Sequence, residues 1–86
     1  MNLDIFHDAT LLTLSFDYEN GEGEITLKTQ SNIVKLSVYN IQEAIIPRAN
    51  PWGKSISINE IIYDSEVLKI QMQSGDLIKI NCKLQT

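Results

Sequence analysis

Eighty-six residues are enough for one domain and too few for two, and a domain this small buries only roughly 60–65% of its unfolded surface, so its core is thin. The composition, 43% hydrophobic and 21% charged, carries enough apolar surface to exclude a disordered chain. A formal charge of -4 with no basic tract argues against nucleic acid as a partner.

Met1-Asn2-Leu3-Asp4 places an acid where a signal peptide needs a basic region, with no apolar stretch behind it. No apolar run approaches the length of a bilayer. Cys82 is the only cysteine, so no internal disulfide can form. The expected location is the cytoplasm. A thin core is commonly reinforced by self-association, which makes a homodimer a reasonable expectation.

The chain is dominated by alternation of period two. Leu12, Leu14, Phe16 and Tyr18 fall on one face and Thr13, Ser15 and Asp17 on the other, the pattern of a half-buried strand. Asn20-Gly21 then predicts a tight hairpin turn, since both central positions of such turns require φ > 0. The return strand places Ile25 and Leu27 inward. After Gln30-Ser31-Asn32 a third strand places Val34, Leu36 and Val38 inward. Ile41–Ile46 lacks clean alternation; it reads as extended structure, because Ile45 and Ile46 are β-branched and Pro47 disfavours helix before it. The alternatives are a bent continuation of the third strand, a short strand of its own or a single helical turn, of which the extended forms are favoured.

Pro47 to Lys54 is the longest break, and its two prolines and one glycine exclude both helix and central strand. Strand structure resumes with Ile56 and Ile58, and the phase slips at Asn59-Glu60 before Ile61 and Tyr63 share a face. A slip of one residue predicts a β-bulge. Asp64-Ser65 and Ser74-Gly75-Asp76 read as turns. Between and beyond them Leu68, Ile70 and Met72, then Ile78, Ile80, Cys82 and Leu84, point inward. Short connections imply antiparallel neighbours. The expected fold is all-β: a single domain over residues 1–86, an antiparallel meander of about six strands forming a small sandwich or partly open barrel.

Little in the chain suggests chemistry. His7 is the only histidine, and on an extended chain its neighbour Asp8 would point the other way, so a surface hydrogen bond or a cap is the expected role. Cys82 is in phase with the inward row, which predicts a buried, unreactive thiol. The acidic stretch Asp17–Glu24 has glycine at the fifth position and strand flanks, which departs from a calcium-binding helical loop and fits a solvated turn. There is no phosphate-binding glycine pattern and no nucleophile elbow. No catalytic residue, cofactor or metal is therefore assigned.

The Pro47–Lys54 loop stands out. Trp52 is the only tryptophan, with Arg48 and Lys54 nearby, and Trp and Arg are enriched at binding hot spots. Arg48, Trp52 and Lys54 are the candidate protein-binding residues; the alternatives for Trp52 are a plug over one end of the core, or a buried ring with its N–H at the rim.

His7-Asp8-Ala9, Pro51-Trp52-Gly53-Lys54-Ser55 and Gln73-Ser74-Gly75-Asp76 together resemble a loose group of small bacterial all-β proteins, some of them similar to immunity proteins encoded beside polymorphic toxins. That resemblance implies a partner protein and assigns no role to any single residue. The sequence thus points to a protein-binding domain, with a self-associating structural β domain as the alternative and a small enzyme ranked behind both.

Overall fold

The computed structural model describes Asn2–Gln85. A 3₁₀ turn at Leu3–Phe6 precedes six strands: β1 (Thr10–Asp17), β2 (Glu22–Lys28), β3 (Ile33–Ile45), β4 (Ile58–Asp64), β5 (Val67–Met72) and β6 (Leu77–Leu84). They form one antiparallel sheet in the order β1-β2-β3-β6-β5-β4. Each half, β1-β2-β3 and β4-β5-β6, is a meander joined by short turns. Between the halves the chain leaves β3 through Ile46–Ser57, crosses to the far edge and returns, so that β6 lies against β3.

The sheet curls until its two edges touch at one place. Asp8 N–H and Leu11 N–H donate to the carbonyls of Ile58 and Ile56, and Ile58 N–H donates to Ala9, each at 2.8 Å. Thr10 and Ser57 form the single bridge there. Beyond Leu11 the edges part, so the barrel stays open.

The core holds the expected inward rows: Ile25, Leu27, Leu36, Val38, Ile58, Ile61, Leu68, Ile70, Met72, Ile78, Ile80 and Cys82 are buried. Phe6 and Ala9 close it from the N-terminal turn. The phase slip is a bulge: the β4–β5 register jumps from Ile58↔Met72 to Glu60↔Gln71, leaving Asn59 extra. Ile41–Ile45 is the bent continuation of β3. Asn40 takes φ +52, a conformation that asparagine tolerates, and the register against β6 shifts between Tyr39 and Glu43.

Two features differ from expectation. Leu14 faces Ile25 and Phe16 faces Gly23 across the β1–β2 ladder, and cross-strand partners share a face, so the β1 row does lie on the core side. It is only partly covered, because the open barrel leaves a cleft between Leu11–Leu14 and the facing Ile46, Ile56, Met72 and Ile78. Leu12, the bulged residue, is 43% exposed, Phe16 39%, and Tyr18 wholly so.

The β1–β2 turn is also longer than a two-residue turn. Gly21 has φ +65 and donates to Asp17 O, while the Asp17 carboxylate accepts from the backbone and side-chain N–H groups of Asn20, closing a four-residue loop. The tight two-residue turn occurs instead at Ser65-Glu66, both with positive φ, between the paired Asp64 and Val67.

Candidate binding surface

The Pro47–Lys54 loop has no sheet neighbour to satisfy its backbone, and two of its residues lack an N–H. A carboxylate supplies the missing acceptor. Asp76, in the β5–β6 turn, accepts from Ala49 N–H at 3.0 Å and Asn50 N–H at 2.9 Å, and from the Ser74 hydroxyl at 2.9 Å. Trp52 N–H donates to Ser74 O at 3.0 Å and Gly53 N–H to Asn50 O at 3.2 Å. Every amide proton from Ala49 to Gly53 thus has a partner. Ser74 and Asp76 are themselves buried.

Burial works against the charge on Asp76, but the N–H of Asn50, the Ser74 hydroxyl, the N–H of Ala49 and the nearby Arg48 charge outweigh it. The carboxyl is held below its ordinary value. The acid is ionised at neutral pH and pins the loop.

Gly75 completes the seat. Its φ is +98, and a methyl group there would sit 2.8 Å from a Trp52 ring carbon and 3.0 Å from Pro51 Cγ. The indole therefore lies flat on the turn, yet Trp52 is 79% exposed. It does not plug the core. A large ring held at its base and open to solvent on its other face is presented outward.

The structure does not gather the three candidate residues into one site. Arg48 and Lys54 line a cleft of about 270 Å³ at the open seam of the barrel, walled by Leu11–Leu14, Ile46 and Ile56 and floored by Met72 and Ile78. Among the described residues neither cation is in ion-pair contact. Trp52 borders a separate shallow depression with His7, Asp8, Asn59, Glu60 and Gln73.

At that depression the three short motifs meet. Gln73 Nε2 donates to Asp8 Oδ1 and Gln73 N–H to Ser57 O. Asp8 has φ +68, a turn rather than extended chain, and this brings its carboxylate within 3.6 Å of His7 Nε2 despite their adjacency. His7 Nδ1 lies 2.6 Å from Asn59 O; a carbonyl can only accept, so Nδ1 carries the proton. The ring is fastened to the bulge, in line with the expected surface hydrogen bond.

Cys82 is buried, and burial pushes its thiol up. Among the described residues no three His, Cys, Asp or Glu side chains converge as a metal cluster, and no helix is long and apolar enough to cross a membrane.

Sequence reading found the loop and missed what holds it. Ser74, Gly75 and Asp76 read as an ordinary turn, and no local signal marks that Asp76 reaches the N–H groups of Ala49 and Asn50 across the fold. Comparison with protein-family models, curated proteins and solved structures finds no match for the chain.

Proposed function

We propose that the chain is a protein-binding domain of bacterial type, acting in the cytoplasm by surface contact and without chemistry of its own. The observation that carries this reading is Trp52: a single tryptophan, 79% exposed, on a loop whose backbone is pinned by a buried carboxylate. A loop ordered before contact loses little entropy on docking, and a large exposed aromatic supplies the anchor. The depression beside it adds polar groups for a rim. A non-enzymatic role is supported by the burial of Cys82, the one thiol. The free thiol suits a reducing compartment.

An immunity-type role is the specific version. The chain's charge of -4 and its acidic tip would complement a basic toxin surface.

The test is capture of a partner followed by titration of the purified pair. Trp52 is the only tryptophan, so its emission reports on the contact directly. Trp52→Ala is expected to weaken binding by about 2 kcal/mol or more, as a hot-spot residue does, with the thermal transition nearly unchanged. Undiminished binding by the variant removes the loop from the interface.

A further inference from the structure

The outer edge of β1 is free over a defined stretch. Leu11 N–H is bonded to Ile56 O, Leu12 is bulged, and Asp17 closes the hairpin. Between them Thr13–Phe16 pair with β2 on one side and, among the described residues, with nothing on the other. This stretch contains no lysine and no proline, two common protections of a sheet edge. Its core-side residues, Leu14 and Phe16, are incompletely covered, and the bulged Leu12 beside them is exposed.

The two ends of the edge carry opposite charge. Arg48 and Lys54 line the cleft beside Leu11–Leu14, while Asp17, Glu19 and Glu22 surround the hairpin tip with Tyr18 fully exposed among them.

We propose that this edge takes a second copy of the chain, β1 running antiparallel to the partner's β1 about a twofold axis through Ser15. That register sets Leu14 beside Phe16 of the partner subunit and joins the two exposed rows on one face, which a slip of one residue would destroy. It also brings Tyr18 and Glu19 to the level of the partner's Leu12 and Leu11, because the tip lies three to four positions, about 10–13 Å, from the axis. The aromatic then covers the mouth of the cleft, and its flanking carboxylates meet Arg48 and Lys54. Symmetry makes this contact twice. A parallel arrangement would instead set the two acidic tips together, which like-charge repulsion opposes. The interface does not involve Trp52, so it is distinct from the binding role proposed above.

Two measurements test it. Sedimentation and light scattering should give a mass twice the 9.7 kDa of the chain, weakening as salt rises. Arg48→Glu with Lys54→Glu is expected to weaken association roughly tenfold, and Glu19→Lys with Glu22→Lys in the same chain to restore it. Independently, Ser15→Cys places an exposed thiol at the axis while Cys82 stays buried, and mild oxidation should yield a covalent dimer. Trp52→Ala should leave the mass unchanged, so loss of partner binding and loss of self-association are separately visible. A monomer at the highest soluble concentration overturns the proposal. So does a dimer that the Ser15→Cys thiol fails to trap and the charge reversals fail to move.

Discussion

At the β4 edge the chain supplies its own cover. The 3₁₀ turn Leu3–Phe6 packs against β4, Phe6 enters the core, and His7 fastens itself to the carbonyl of the bulged Asn59. At the β1 edge nothing comparable exists past Leu11 among the described residues, and Leu12 and Phe16 remain well exposed. Both strands are amphipathic, and both carry a bulge. What separates them is a few residues of preceding chain. An alternating pattern selects the face that turns inward, but burial of that face depends on whether something lies across from it.

The largest expected effect tests the covered edge. Phe6→Ala should cost about 3–5 kcal/mol in chemical denaturation, a large part of the roughly 5–15 kcal/mol that holds a domain together. The loop that spans the gap between the edges comes next. Gly75→Ala forces a side chain into φ +98 and against Trp52 and Pro51, at an expected cost of about 1–3 kcal/mol, with altered Trp52 emission marking the displaced loop.

Phe16→Ala, the open-edge counterpart of Phe6→Ala, should cost only about 1 kcal/mol in the monomer, measured at concentrations below association, because there the ring is already partly hydrated. Equal losses for the two phenylalanines under those conditions would break the comparison and show β1 to be covered within one chain.

Acid separates the two regions by probe. Hydrogen bonds from Asn20 hold the Asp17 carboxyl below its ordinary value, and Asp76 is likewise lowered. Each therefore contributes stability that is complete above the unfolded value of 3.8 and is lost as the pH falls through the lowered folded value. Trp52 emission should follow Asp76 and not Asp17, so Asp76→Asn should abolish that acid transition while Asp17→Asn leaves it in place.

The smallest effect lies mid-sheet. Lys69 and Lys79 stand directly opposite across β5–β6, and Lys69→Glu should raise stability by about 0.2–1 kcal/mol, lost at high salt.

Much of the sheet was legible in the residues. The inward rows of β2, β5 and β6 were evident, as were the bulge at Asn59, the burial of Cys82 and the extended run after Asn40, because each follows from local period and local turn chemistry. The pairing of β3 with β6 was not legible, since it depends on a long crossover that no local pattern records. The Asn20-Gly21 turn misled because Asp17, a side chain outside the dipeptide, captures Asn20 and sets a longer loop. The site was legible as a segment and illegible as a geometry. Arg48 and Lys54 face the cleft while Trp52 rests on Gly75, and which way each points is decided by Asp76, distant in sequence.

The single crossover has a kinetic consequence. Four of the five strand pairs join neighbours in sequence and can form as hairpins on the microsecond scale. Only β3–β6, which sets Val38 against Leu84 and Ile45 against Lys79, must close a long loop before its contacts repay the lost entropy. The folding barrier is therefore expected at that seam. Substitutions along Ala44 and Ile80, which face each other there, act on the rate at which the molecule folds, while those at the open edge act on the rate at which it comes apart.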